Sequence, residues 1–294
     1  MTASKRIYQI DLFRFIAASA VLLYHYLYRG YKAGNMSLLR FDGVGEYFKY
    51  GYLGVDLFFM ISGFVIAFSI KHLSLSKFCY SRFRRLYPMY WLCLLLTCGV
   101  TYFWGAPRYQ VTFSQLLTNL TMAQKLFGVG DIDGAYWSLY VELKFYLIIA
   151  IFLIINRFKK ISLDYLVCGW LLLYCLYLSI DGAVGRIHWL ERTFHSDFSP
   201  YIIGSTLVLF YALMLLVSCN RLEGLNSAKW VKVGMLTYPL YLIHQHIGFI
   251  LFNHLHPYLN KYMLVTSVTL LMLAVAYFLS EWAEPRIMKR FNRI

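Results

Sequence analysis

Residues 11–25 read DLFRFIAASAVLLYH, an apolar stretch that also carries an acid, an arginine and a histidine. If the stretch is a helix, the eleven-residue spacing of Arg14 and His25 is close to three full turns. Their side chains then share one face, about 16 Å apart along the axis. Asp11 lies one turn before Arg14 on that face. Because ionisable side chains in a membrane-length segment are costly unless they face a bundle interior or a wet cavity, the stretch predicts a functional face on a membrane-spanning helix.

The composition of the 294-residue chain is that of a membrane protein. Hydrophobic residues make up 60%, the mean hydropathy is +0.56 and charged residues are 14%, against about 25% in soluble domains. The net charge of +14 does not indicate a nucleic-acid partner, because the basic residues lie in short clusters between apolar runs. The six cysteines and eight histidines show no disulfide or zinc spacing. The sequence thus predicts an all-α polytopic membrane protein with no metal site.

Runs of about 20 apolar residues predict a single bundle of eight transmembrane helices, with ten as the upper bound. The predicted spans are 8–27, 50–70, 86–104, 136–155, 163–181, 198–217, 233–252 and 262–281. Lys and Arg number 17 on one side of these spans and 9 on the other, with Arg14 and Lys144 inside them. The positive-inside rule then places both termini in the cytoplasm. We expect one integral-membrane domain over residues 1–294, with no fused soluble domain and with the first span retained.

Three ionisable residues are predicted to share the outer part of the membrane. His25 lies near the outer end of the first span, and Asp56 and Glu142 lie a few residues into the second and fourth spans. A histidine beside a carboxylate is the arrangement that general-base chemistry needs, since the carboxylate fixes the tautomer and stabilises the imidazolium. The alternative is a structural hydrogen-bond cluster that holds the helices together.

Arginines are concentrated at the predicted cytoplasmic side. Arg82 and Arg85 precede the third span, and Arg14 with Asp11 lies in the inner half of the first. Guanidinium groups bind phosphates bidentately, so a phosphate-bearing ligand from the cytoplasm would find partners here. Ordinary positive-inside anchoring is the alternative for Arg82 and Arg85, and a structural ion pair with Asp11 is the alternative for Arg14.

A further polar group lies late in the chain. Pro239 should kink the seventh span and free backbone carbonyls. His244 could line a cavity there, whereas His246 is two residues further on and faces elsewhere.

Five motifs in this order resemble those of the membrane acyltransferase-3 family. They are Arg14 and His25 with ten residues between them, residues 54–64 (GVDLFFMISGF), Arg82-x-x-Arg85 continuing into 85–88 (RLYP), residues 133–146 (DGAYWSLYVELKFY) and residues 238–244 (YPLYLIH). The resemblance implies transfer of an acyl group, commonly acetyl from acetyl-CoA, to a sugar hydroxyl of an envelope or surface glycan or its lipid-linked precursor. Acetyl-CoA is then a co-substrate, and no permanently bound cofactor is expected.

The resemblance also assigns roles to residues. His25 would activate the acceptor hydroxyl or carry the acetyl group itself, with Asp56 or Glu142 orienting it; both routes and both carboxylates stay open. Acyl-CoA would be bound by Arg14, Arg82 and Arg85, with Asp11, Trp137, Tyr241 and His244 in supporting positions. The expected setting is the bacterial cytoplasmic (inner) membrane.

The chain departs from its family in length. Family members often have ten or more spans and some carry a fused esterase-like domain, which argues here for a protein that completes the transfer itself or passes the acyl group to a separate partner protein. Membrane lipids and a homo-oligomer complete the expected partners.

Two other classes of protein remain. A proton-coupled transporter or a flippase would also carry buried acids, histidines and a kinked helix, although inverted repeats are not visible in the sequence. A scaffold would use the polar groups for packing alone.

Overall fold

The computed structural model describes residues 7–34, 36–70, 74–159 and 182–291. The fold is all-helical, with 80% helix and no strand among these residues. The helices, numbered in chain order, are α1 Gln9–Tyr24, α2 Val44–Phe48, α3 Gly54–Ile70, α4 Leu75–Trp104, α5 Phe113–Asn119, α6 Trp137–Lys159, α7 Gly182–Phe194, α8 Pro200–Ser218, α9 Trp230–Leu255, α10 Lys261–Phe278 and α11 Glu284–Phe291. The predicted span over 163–181, with Cys168 and Cys175, lies outside the described residues.

Six of the described helical segments are long and apolar enough to cross a membrane. They are Gln9–Lys32, Val44–Ala67, Leu75–Trp104, Gly134–Ile155, Pro200–Ser218 and Lys261–Lys289. Each overlaps one of the predicted spans. The predicted span over 233–252 falls within α9, which has 26 residues but is not among the six. Its centre carries His244, Gln245 and His246, which lower its hydropathy.

Helix α9 lies at the centre of the bundle, where its polar residues are shielded from lipid. It packs against α1, α4 and α10, and its residues from Leu240 to Gln245 are all buried. Pro239 lacks an N–H, which leaves the carbonyl of Met235 without its helical donor. The Ser280 hydroxyl donates to that carbonyl at 3.0 Å from the segment after α10. The proline expected to free a backbone carbonyl is thus accommodated by a neighbouring element.

Helix α1 does not continue as a regular α-helix beyond Tyr24. Residues His25–Arg29 form a π-helical turn, and Gly30–Lys32 add a last α-turn. Such wide turns inside helices often mark functional sites. Gly30 is needed next to this turn, because a methyl group there would lie 2.8 Å from the Phe249 ring of α9. The hydrophobic pattern of the stretch gave no sign of the irregular turn.

The two ends of the bundle can be told apart by contacts between distant segments. The Tyr8 amide donates to the Asn226 side chain at 2.7 Å, which joins the start of α1 to the segment before α9. At the opposite end the Leu38 amide donates to the Asn253 side chain at 2.9 Å, and Lys261 donates to the Arg40 carbonyl at 3.0 Å. We call the end at which α1 begins the near end and the other the far end. The predicted loops alternate between these two ends along the chain, and the near end corresponds to the side that was predicted to be cytoplasmic.

Candidate active site

A pair of buried histidines joins α1 to α9. The His25 Nδ1 and His244 Nε2 atoms are 2.7 Å apart, and the two side chains are 7% and 1% exposed. The His244 Nδ1 atom lies 2.9 Å from the Tyr241 carbonyl and 3.1 Å from the Leu240 carbonyl. Carbonyl oxygens only accept hydrogen bonds, so these partners assign the proton of His244 to Nδ1. Nε2 of His244 is therefore the acceptor and Nδ1 of His25 the donor, which leaves Nε2 of His25 with a free lone pair.

Neighbouring aromatic residues hold this pair in place. The Tyr26 hydroxyl donates to the His244 carbonyl at 2.8 Å, and the Tyr26 ring packs edge-on against Phe252 with centroids 4.7 Å apart. Tyr26 follows His25 directly in the π-helical turn and is 1% exposed. Two successive residues of one turn therefore contact the same residue of α9. This double attachment fixes the orientation of the His25 ring.

The two carboxylates expected beside His25 have other partners. Asp56 forms a bidentate ion pair with Arg186 of α7, with Nη1–Oδ1 and Nη2–Oδ2 distances of 3.0 and 2.9 Å. Glu142 accepts hydrogen bonds from Ser62 at 3.3 Å and from the Tyr146 hydroxyl. The structure thus gives His25 a neutral histidine partner instead of an acid. Nothing in the sequence indicated the Asp56–Arg186 ion pair, because the two residues are 130 positions apart.

Glu142 instead faces a cavity of about 290 Å³ that extends from the near end into the bundle. Its polar lining residues are Asp11, Arg14, Ser62, Arg85, Ser138, Glu142, Thr237, Tyr238, Tyr241 and Glu284. The Arg14 Nη1 atom lies 3.3 Å from the Asp11 carboxylate, and the two side chains are 18% and 10% exposed. The cavity therefore brings together the acid and the arginine of α1 and the arginine of α4, as the sequence led us to expect.

The two arginines of the Arg82-x-x-Arg85 motif lie in different surroundings. Arg85 is exposed and lines the cavity, and within the described chain it has no hydrogen-bond or ion-pair partner. Arg82 is not a lining residue. Its guanidinium lies 5.7 Å from the ring centroids of both Phe78 and Tyr146. Arg85 is thus available to a ligand in the cavity, whereas Arg82 packs against aromatic side chains.

An apolar layer closes the inner end of the cavity. Val21, Val55, Ala135 and Tyr241 form one buried cluster, and Val55 and Tyr241 also line the cavity. The Tyr241 hydroxyl contacts Ser138 Oγ at 2.8 Å and the Ala135 carbonyl at 3.1 Å. His25 lies one turn beyond Val21 and does not line the cavity. Trp137, at the start of α6, is 39% exposed and is also outside the lining.

A buried acid missed by sequence reasoning fastens the segment before α6 to α9. Asp133 accepts the Ala135 amide at 2.8 Å and the His246 amide at 2.9 Å. Burial raises the pKa of the Asp133 carboxyl to about 7. The His246 ring faces Tyr109, with centroids 4.4 Å apart, and so points away from the histidine pair as expected. The attachment of Asp133 to α9 joins segments more than 100 residues apart, so no local pattern in the sequence indicates it.

The helical bundle thus contains a buried, oriented histidine and a cavity that two arginines line. The family model Acyl_transf_3, described as an acyltransferase domain, matches residues 7–204. The chain belongs to the membrane acyltransferase-3 family. The matched range ends before α9, so the position of His244 in the site rests on the geometry. No curated protein and no solved structure matches the chain.

Proposed function

We propose that the protein transfers an acetyl group from acetyl-CoA to a hydroxyl of an envelope or surface glycan, or of its lipid-linked precursor, in the bacterial cytoplasmic membrane. The observation that carries this proposal is the hydrogen bond between His25 and His244, which leaves Nε2 of His25 unprotonated. An imidazole with a fixed tautomer and a free lone pair is what acyl transfer to an alcohol requires of a base.

In the direct route, Nε2 of His25 accepts the hydroxyl proton while the hydroxyl oxygen attacks the thioester carbon. The new C–O bond gives a tetrahedral intermediate, whose collapse breaks the C–S bond and releases the CoA thiolate. The proton then passes from Nε2 to the thiolate sulfur. In the covalent route, Nε2 attacks the thioester carbon, the C–S bond breaks and the CoA thiolate leaves an acetyl-imidazolium on His25. The hydroxyl oxygen then attacks the acetyl carbon, the C–N bond breaks, and the hydroxyl proton passes through the freed Nε2 to the thiolate. Both routes use the same lone pair.

The cavity supports the binding of the donor from the near end. Arg85 is exposed and has no ion-pair partner among the described residues, so its guanidinium suits the phosphates of CoA. Arg14 lies further in and is partly neutralised by Asp11. For the thioester to reach His25, the Tyr241 and Val55 side chains must move aside, since they belong to the layer between the cavity and the histidine pair.

The proposal is tested with purified protein in liposomes, radiolabelled acetyl-CoA and a crude glycolipid extract. We expect label on the glycolipid, and a loss of about a hundredfold or more in kcat for His25→Ala. His244→Ala should lower kcat by about tenfold to a hundredfold, because it removes only the partner that orients the base. The matched control is His246→Ala, whose ring faces Tyr109, and it should keep kcat within about twofold of wild type.

Normal transfer by His25→Ala would contradict the assignment of the base. Movement of a glycolipid across the liposome membrane without any transfer of label would instead identify a carrier. Brief mixing with labelled acetyl-CoA in the absence of acceptor, followed by mass spectrometry, distinguishes the routes, since only the covalent route leaves acetyl on the peptide that contains His25.

A further inference from the structure

A second cavity, of about 340 Å³, lies at the far end of the bundle. Its walls come from the end of α1, the segment before α2, α2 itself and the end of α7. The lining residues are Leu27, Tyr28, Tyr31, Lys32, Arg40, Phe41, Asp42, Gly43, Glu46, Phe194 and His195. Its volume is within the range of about 300–1,000 Å³ that is usual for small-molecule sites. None of its lining residues belongs to the near-end cavity.

The four charged side chains that line this far cavity sum to zero, and each is in an ion pair; Glu46 also pairs with Lys49, outside the lining, at 3.6 Å. Lys32 Nζ lies 3.4 Å from the Glu46 carboxylate, and Arg40 Nε lies 2.6 Å from the Asp42 carboxylate. A ligand with a net charge would have to break one of these pairs or face the like-charged partner. An uncharged ligand with many hydroxyl groups can instead donate to the carboxylates and accept from the cations while both pairs stay intact.

The far cavity also offers aromatic surface. The Tyr31 ring has the Arg40 guanidinium 5.5 Å from its centroid, and the rings of Phe41 and Tyr28 are buried. A sugar ring fits this combination of aromatic and charged side chains, because its C–H face packs on aromatic rings while its hydroxyls bond to polar groups.

The far cavity is close to the base. Tyr28 is three residues after His25 in the same π-helical turn, a rise of roughly 4–5 Å along the helix. The Tyr24 ring contacts both residues: its centroid lies 5.2 Å from that of the His25 ring and 6.1 Å from that of the Tyr28 ring. The donor cavity begins at the other end of the same helix, with Asp11 and Arg14. The histidine pair thus lies between two cavities that open at opposite ends.

We infer that the far cavity is the acceptor site and that it takes an uncharged saccharide unit, in preference to a uronic acid or an amino sugar with a free amine. This inference rests on the proposed acyl transfer. The acceptor hydroxyl would then reach Nε2 of His25 from the far end, while the thioester arrives from the near end.

Binding is measured by saturation-transfer NMR on the protein in nanodiscs, with methyl glucoside, methyl glucuronide and methyl glucosaminide as probes. We expect saturation of the glucoside and about tenfold weaker signals from the two charged glycosides. Tyr31→Ala should lose most of the glucoside signal, and Tyr28→Phe, which keeps the buried ring, should weaken it. Tyr47→Ala is the matched control, since Tyr47 lies on α2, is 86% exposed and is not a lining residue.

Charge neutralisation gives a gain-of-function test. Glu46→Gln leaves Lys32 and Lys49 without the carboxylate that they share and should increase the signal of the glucuronide by about fivefold or more. No saturation of the glucoside by wild type, or equal signals from Tyr31→Ala and Tyr47→Ala, would overturn the saccharide site.

Activity separates this inference from the proposed function. With labelled acetyl-CoA and the glycolipid extract, Tyr31→Ala should raise the KM for the acceptor by about tenfold and leave the KM for acetyl-CoA unchanged. Transfer of label with an unchanged acceptor KM in Tyr31→Ala would contradict the acceptor site alone. Binding of the glucoside without transfer of label to any acceptor would contradict the acyl transfer, and with it the acceptor role of the cavity.

Discussion

The partner of His25 is a residue without charge, which suits its position in the bundle. A carboxylate buried beside the imidazole would have to be desolvated, and the cost of burying a charge in a membrane-spanning bundle is large. His244 fixes the tautomer by accepting one hydrogen bond, and its own tautomer is fixed by two backbone carbonyls. The two acids that sequence reasoning placed beside His25, Asp56 and Glu142, instead form an ion pair and line the cavity.

Arg82 and Arg85 lie in different surroundings, so we predict different effects of replacing each of them. Arg85→Ala should raise the KM for acetyl-CoA by about tenfold with little change in kcat, because a phosphate contact is made equally in the ground and transition states. Arg84→Ala is the control, since Arg84 lies over the Tyr80 ring, 5.6 Å from its centroid, and does not line the cavity. Steady-state kinetics in liposomes measure both. An unchanged KM in Arg85→Ala at normal protein levels would remove Arg85 from the donor site.

Arg82→Ala should behave differently from Arg85→Ala. Loss of the stacked guanidinium over Phe78 and Tyr146 should lower the unfolding free energy by about 1 kcal/mol, with the KM for acetyl-CoA within about twofold of wild type. Thermal unfolding in detergent together with the same kinetics tests this. A KM increase as large as that of Arg85→Ala would show that Arg82 also contacts the donor.

The buried Asp133 carboxyl gives stability a pH dependence. Its folded-state pKa of about 7 is above the ordinary value of 3.8, so between these values the folded chain binds a proton that the unfolded chain has released. The contribution of Asp133 to the free energy of unfolding therefore falls as the pH rises from about 4 to about 7, and it is constant outside that window. The thermal unfolding midpoint of wild type, compared with that of Asp133→Asn, should decline over this window. Parallel pH profiles for the two proteins would contradict the shifted pKa.

At the scale of elements, the bundle buries the polar residues at the centre of one helix among three neighbouring helices. Helix α9 combines a proline and two histidines at its centre, and α1, α4 and α10 surround it. The π-helical turn of α1 faces this same helix through Tyr26 and His25. The π-helical turn of α1 and the proline-containing centre of α9 thus meet at the histidine pair of the candidate site.

The Asp56–Arg186 ion pair is predicted to connect α3 with α7 and to leave catalysis to other residues. A double-mutant cycle of Asp56→Ala and Arg186→Ala, followed by thermal unfolding, should give a coupling energy of about 1 kcal/mol, since the arginine is partly exposed at 37%. The double variant should retain its kcat better than either single variant, because neither charge is then left without its partner. A coupling energy near zero would contradict the structural role.

At the scale of the whole molecule, two cavities open at opposite ends, and a buried apolar cluster lies between the near one and His25. The cluster consists of Val21, Val55, Ala135 and Tyr241. For the proposed reaction, such a cluster would keep water from the near end away from a thioester that has reached His25.

The orientation of the molecule follows from its charge and can be measured. Single-cysteine variants should react with a membrane-impermeant maleimide according to their end of the bundle. In cells with a permeabilised outer membrane, Tyr47→Cys and Tyr258→Cys at the far end should be labelled, since the native side chains are 86% and 80% exposed. Cys79 and Cys219, which are exposed towards the near end, should react only after the inner membrane is opened. The reverse pattern would invert the orientation that the positive-inside rule gives.

The sequence by itself determined the helical membrane class, the positions of the apolar segments and the acyltransferase-3 family. These properties depend on local composition, on the period of the helix and on short motifs. It also predicted that Asp11, Arg14 and Arg85 would lie at the same end of the bundle. Helix spacing and the alternation of loops determine how deep each residue lies in the membrane.

Only the tertiary structure decided which side chains touch. His25 and His244 are 219 residues apart and Asp56 and Arg186 are 130 apart, and no local pattern links either pair. Depth restricts a residue to a layer of the membrane, but the choice of partner within that layer depends on how helices rotate and pack against each other. For the same reason the two cavities, which are spaces between helices, could be recognised only when the whole bundle was assembled.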